Sequence, residues 1–295
     1  MPGARTFPSE SPDDSMLRMS FMEHLEELRS RILKALAGVG VAFVFSILFT
    51  NQLWRLVSQP VDAALRELGL HQNLVFTAPM EAFNTVWVKL PMLAAVFLAS
   101  PWVLYQVWAF IAPGLYESER RWATPFVLST AGLFVAGGLF SYFIAFRYGL
   151  TFLLGVGRDL NIQPMVAVSE YFDLFINVTL GIGVVFELPV LLFLLTLLHI
   201  VSPAFLMSNS RYAVLALTLI AAVISPTQDV INLMVLLVPM CALYFVGVFA
   251  SYALVLHRER RRFPWKKAVC WLAVIAALCA LILVLVRYGI TPAAP

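Results

Sequence analysis

Four acids stand where a carboxylate could do specific work: Glu27 in His24-Leu-Glu-Glu-Leu-Arg29, Glu119 in Tyr116-Glu-Ser-Glu-Arg-Arg121, Glu187 in Phe186-Glu-Leu-Pro189, and Asp229 after Ser225-Pro-Thr-Gln228. A carboxylate is a two-pronged acceptor, and a guanidinium is its planar, two-pronged donor. Two carboxylates on one face can therefore read two adjacent arginines, and a lysine cannot reproduce the fork. An exposed ion pair contributes only about 0–1 kcal/mol, so this chemistry needs a partly dehydrated surface. The plainer roles are clear. Glu27 with Arg31 (i,i+4) and Glu26 with Arg29 (i,i+3) are pairs that solubilise a helix face. Glu119 is a surface acid balanced by Arg120 and Arg121.

Glu187 is the acid deep inside an apolar run, and an ionisable group there is costly and points by default to function. Pro189, two residues on, frees a backbone carbonyl that needs another partner. The alternative is a protonated Glu187 that hydrogen-bonds a neighbouring helix. Asp229 reads as a turn residue and helix N-cap. Pro60, in Leu56-Val-Ser-Gln-Pro-Val61, is expected to rigidify a loop. No phosphate-binding loop, HExxH motif, paired Cys–His set or nucleophile elbow is present. Cys241, Cys270 and Cys279 fall in apolar runs without metal-ligand spacing. No metal or cofactor is expected, and no enzymatic activity.

The elements that must carry these residues are membrane helices. The chain is 61% hydrophobic and 13% charged, against roughly 25% charged residues in a soluble domain. Apolar runs of about 15–25 residues recur, long enough to cross a bilayer as helix. The spans expected are 32–50, 85–112, 122–146, 171–198, a short 212–224, 230–256 interrupted by Pro239, and a seventh at 268–286. Ser20 to Glu23 fits a capping box opening an amphipathic helix before the first span. A loop over 51–85, with helical potential between Pro60 and Pro79, and another over 147–170 lie on the outer side. Arginines at the start and the dense run from Arg258 to Lys267 place the N-terminus in the cytoplasm, with the C-terminus outside. That basic run could suggest nucleic acid, but its position between two apolar runs favours the topological reading. The expected division is a cytoplasmic tail over 1–19, a membrane body over 20–256, a basic segment over 257–267, and the extra span and tail over 268–295.

The segment from Leu104 to Arg121, Leu-Tyr-Gln-Val-Trp-Ala-Phe-Ile-Ala-Pro-Gly-Leu-Tyr-Glu-Ser-Glu-Arg-Arg, closely resembles the signature of the TatC family, the core subunit of the twin-arginine protein translocase. His24-Leu-Glu-Glu-Leu-Arg29 resembles the family's N-terminal motif, and Phe186-Glu-Leu-Pro189 a third. The resemblance implies an all-α, six-span, concave membrane body in the cytoplasmic (inner) membrane. It implies a receptor and scaffold that exports folded proteins using the proton-motive force. Glu27 and Glu119 would bind the signal peptide, with Arg29, Phe110 and Pro113 shaping the site. Glu187 would line a membrane face used for transport and for TatA- and TatB-like single-span partners, with self-association in the complex. Pro60 matches the proline of the family's first outer loop, and Asp229 falls in the family's second outer turn, whose pattern this chain alters at Thr227 and Gln228. A competing reading is a secondary transporter with Glu187 as its proton-coupling group. A weaker one is an intramembrane enzyme, which lacks a nucleophile–base pair.

Overall fold

The computed structural model describes residues 21–67, 69, 74–76, 78–114, 123–156, 165–225 and 229–258. The expected tail over 1–19, the Glu119 turn, the Arg258–Lys267 cluster beyond its first residue, and the seventh span lie outside the described residues.

The described chain is helical almost throughout. Helix α1 (Phe21–Ile47) is followed by α2 (Thr50–Glu67). The next crossing is built from α3 (Pro79–Asn84), a wide π-turn at Thr85–Lys89 and α4 (Leu90–Ile111). The third joins α5 (Ala123–Phe140), a second π-turn at Ser141–Ala145 and α6 (Phe146–Val156). The fourth joins α7 (Val168–Val185) and α8 (Leu188–Leu197). After the short α9 (Pro203–Ser208) come α10 (Ser210–Ile224) and α11 (Val230–Arg258). Five of these stretches are long and apolar enough to cross a membrane, and α10 is a shorter apolar helix. Its 15 residues extend roughly 22 Å at 1.5 Å per residue, short of a roughly 30 Å hydrocarbon core.

The fourth crossing is the central post. Val168, Phe172, Phe175, Val178 and Ile182 of α7 are buried, and Phe146 packs edge-on to Phe175. Close approach to the third crossing depends on glycine: a Cβ on Gly137 would lie 2.9 Å from the Gly183 backbone. Small residues serve this purpose in membranes, where packing rather than water expulsion joins helices. The same holds for α11 against α8, where a Cβ on Gly247 would meet the Pro189 backbone at 2.7 Å.

The lead-in helix runs into the first span as expected, as one helix, α1, but several other expectations need correction. The region expected as a loop over 51–85 holds an 18-residue amphipathic helix. Val57, Val61, Ala64 and Leu65 of α2 are buried at helical spacing, and the Trp54 indole stacks on Phe172 with ring centroids 5.3 Å apart. Pro60 is buried inside that helix rather than stiffening a loop. The third crossing continues to Val156, so Arg147 is helical rather than the start of a loop. The sixth helix runs through Pro239 without interruption. Burial on neighbouring elements holds such helices together where isolated-sequence rules would end them.

Proline inside a helix leaves the carbonyl four residues back without its helical donor. Two of these carbonyls have visible substitutes. Pro101 frees the Phe97 carbonyl, which accepts from the Ser100 hydroxyl at 2.8 Å. Pro60 frees the Leu56 carbonyl, which accepts from the Tyr142 hydroxyl at 2.8 Å. The second bond ties α2 to the π-turn of the third crossing, where Ser141 also hydrogen-bonds Thr179 at 3.1 Å. Tyr142→Phe is therefore expected to destabilise the protein by about 0.5–1.5 kcal/mol, the net contribution of an ordinary hydrogen bond. In a Pro60→Ala background the backbone N–H returns, and the cost of Tyr142→Phe should shrink. Unfolding midpoints of the four proteins in one detergent measure this directly.

Candidate functional site

The site is built on the antiparallel seam of α1 and α4, whose register four contacts establish. The His24 ring stacks on Phe110 with centroids 4.5 Å apart. One Arg31 nitrogen, Nη1, donates to Gln106 Oε1 at 3.3 Å. The Trp102 indole N–H donates to the Lys34 carbonyl at 2.9 Å. Ala42, Ala95 and Ala99 close the far part of the seam with small side chains. Gly38 is required here, because a Cβ would sit 2.2 Å from the Trp102 ring. As α1 runs from residue 24 to 42, its contacts on α4 run from 110 back to 95. The Glu27 motif and the Phe110–Pro113 motif are thus at the same end of the molecule.

Glu27 occupies this seam half-buried. Its Oε1 accepts from Arg31 Nη2 at 3.2 Å. Its Oε2 is shielded from solvent and has no hydrogen-bond partner among the described residues. Phe110 and Pro113 are intermediate in burial, the latter in a tight turn at Ala112–Gly114 that ends α4. Arg29 points away: it is exposed and makes no hydrogen bond among the described residues. Glu119, with Arg120 and Arg121, lies outside the described residues. The helix that would bring it near, α4, ends beside Glu27's end of α1.

Two residues of the seam were not singled out by sequence reasoning, Gln106 and His24. Gln106 is only 3% exposed. Its signal was available: one amide side chain in an otherwise apolar, aromatic stretch from Pro101 to Ile111.

Glu187 sits at a break in the fourth crossing. Residues Phe186 and Glu187 form a turn between α7 and α8, and the Glu187 carbonyl accepts from the Val190 and Leu191 N–H groups that open α8. Pro189 stands in the first turn of α8, where its missing N–H costs nothing. Glu187 Oε1 is buried without a hydrogen-bond partner among the described residues. Lys89 pairs instead with Asp173, nearer the opposite end. Glu27 and Glu187 are therefore separate sites. Among the described residues, no group of His, Cys, Asp or Glu could hold a metal ion.

Asp229 has a local role. Its Oδ1 accepts from the Asn232 backbone N–H at 2.8 Å and its Oδ2 from the Asn232 side-chain amide at 2.7 Å. This is an N-cap on α11, reinforced by a buried asparagine.

The family described as "Sec-independent protein translocase protein (TatC)" matches residues 23–239, from the Glu27 motif into the first part of α11. The chain belongs to the TatC family. It is 42% identical over 249 residues to the TatC protein of Koribacter versatilis, covering 84% of this chain and 90% of that one. It is 34% identical to the TatCy protein of Bacillus subtilis, covering 80% and 90%. Among solved structures, a crystal structure of the twin-arginine translocase receptor TatC superposes with a TM-score of 0.68 at 29% identity, over 77% of this chain and 99% of that one. The helical membrane bundle is therefore that of the family, and the chain is a multi-pass membrane component of a protein translocase.

The cap geometry makes a specific demand. Asp229→Ala should lower stability by about 1 kcal/mol, and Asp229→Ser, which restores a capping oxygen, should recover most of that loss. Thermal unfolding of the two variants in the same detergent is the measurement.

Proposed function

We propose that this chain is the membrane receptor that reads the paired arginines of a signal peptide and scaffolds the export of folded proteins. The observation that carries the reading is Glu27. It is a carboxylate held in a half-buried seam, with one oxygen engaged by Arg31 and the other shielded and unpartnered. A guanidinium arriving along the membrane surface would find there an acceptor that water serves poorly. Phe110 and Pro113 form the adjoining wall. Glu119, in the segment that follows α4 in sequence, supplies the second carboxylate. The N-terminus and this end of the bundle face the cytoplasm, in accord with the arginines of the leading segment.

Glu187 serves a different step. A buried, unpartnered carboxylate oxygen at a helix break within the bilayer is a docking point for a polar group on a single-span TatA- or TatB-like subunit. The chain carries no nucleotide-binding motif, so work comes from the proton-motive force acting on the assembled complex.

The test is binding of an Arg-Arg signal peptide against its Lys-Lys counterpart, using the full chain in lipid nanodiscs. The Arg-Arg peptide should bind about 10–100-fold more tightly, as expected for losing hydrogen bonds to a charged group at about 1.5–3 kcal/mol. Glu27→Ala and Glu119→Ala should each remove most of that preference. Equal binding of the two peptides by the unaltered chain rejects the reading. Glu187→Ala should leave peptide affinity unchanged while abolishing site-specific crosslinking between the fourth crossing and a single-span subunit.

A further inference from the structure

Arg31 and Gln106 suggest how Glu27 is kept available, an inference that rests on the receptor reading above. Arg31 divides its donors between two acceptors. Nη1 donates to Gln106 Oε1 at 3.3 Å and Nη2 to Glu27 Oε1 at 3.2 Å. A guanidinium free to choose would close on a carboxylate with two parallel bonds and occupy both oxygens. Here it does not, and Glu27 Oε2 stays without a partner. The amide diverts the second donor. Gln106 is almost completely buried, so bulk water does not compete for its carbonyl. A guanidinium carries only donors, which requires the amide oxygen and not its nitrogen to face Arg31.

We propose that Gln106 and Arg31 are positioning residues for signal-peptide recognition. Gln106 tethers Arg31 so that it orients the Glu27 carboxylate through Oε1 and reserves Oε2 for the incoming arginine. Arg31 thus acts as a support for the carboxylate rather than as a rival of the peptide. The two views predict opposite signs. If Arg31 merely competes for Glu27, its removal strengthens peptide binding. If it positions Glu27, its removal weakens binding and blunts the preference for arginine over lysine.

The experiment measures binding of Arg-Arg and Lys-Lys signal peptides to the full chain in nanodiscs, for the unaltered protein and for Gln106→Met, Arg31→Gln and Arg31→Lys. Methionine preserves the length of the glutamine without its acceptor, and lysine preserves charge without the fork. Each variant should bind the Arg-Arg peptide about tenfold more weakly, with the Arg-over-Lys ratio falling by a similar factor. In a Glu27→Gln background, Gln106→Met should cause no additional loss, whereas a merely structural role would persist there. Arg31 lies at the rim of the seam, so its variants test the proposal even if the buried methionine impairs folding. Unchanged or tighter binding by the Arg31 variants overturns the proposal while leaving the receptor reading intact. Failure of the unaltered chain to prefer Arg-Arg overturns both.

Discussion

The constraint on which this structure depends is that hydrocarbon supplies no hydrogen-bond partners, so every backbone carbonyl in a crossing must find one inside the protein. Proline tests that constraint in α4, and it poses the same need for a substitute donor in α2, an amphipathic helix outside the crossings. Pro101 is accommodated within its own helix, because Ser100 turns its hydroxyl onto the Phe97 carbonyl. Pro60 is accommodated from a distance, because Tyr142 reaches the Leu56 carbonyl from another crossing. The first solution is local. The second makes the placement of α2 depend on the π-turn at Ser141–Ala145, which itself rests on the Ser141–Thr179 pair. Glycine meets the complementary need: where backbones must touch, as at Gly137 with Gly183, no side chain intervenes.

The crossings are not equally embedded. The fourth is the most buried and the first the least, with Leu33, Leu36, Val41, Val44 and Phe45 of α1 exposed. In a bilayer those side chains meet lipid, so their exposure carries no penalty. The first helix is held chiefly by α4. The indole–carbonyl bond of Trp102 with Lys34 and the close fit over Gly38 therefore set the seam at the Glu27 end. Recognition chemistry placed on such a seam inherits its precision from a few contacts, which is why a buried amide such as Gln106 matters there.

Much of the candidate site was legible in the chain. Hydropathy marked the crossings, and the spacing of Glu27 to Arg31 marked an ion pair that the structure contains. Motif resemblance identified Phe110, Pro113 and Glu187. What periodicity could not separate was a loop from an amphipathic helix. The 51–67 stretch carries Pro60 and many polar residues, and it becomes α2 because Trp54 stacks on Phe172 of the fourth crossing while Val57 and Val61 are buried in the core the helix shares with the third. Pro239 failed as a stop signal for the same reason. Motif resemblance pointed to Arg29, and Arg31 stood out only as the ion-pair partner of Glu27. Only the side of α1 that faces α4 distinguishes them.

By itself the sequence determined that this chain crosses a membrane repeatedly as helices. It also marked Glu27 before the first apolar run and Glu187 inside another, and its motifs resemble those of the TatC proteins. These follow from solvation: apolar runs and rare charges have few alternatives in a bilayer. The tertiary structure decided which charges meet. It turned Arg31 inward and Arg29 outward, and drew Gln106 into the Glu27 pair. Those outcomes depend on the rotation and register of one helix against another, which are set by packing across the seam and are invisible in a linear pattern.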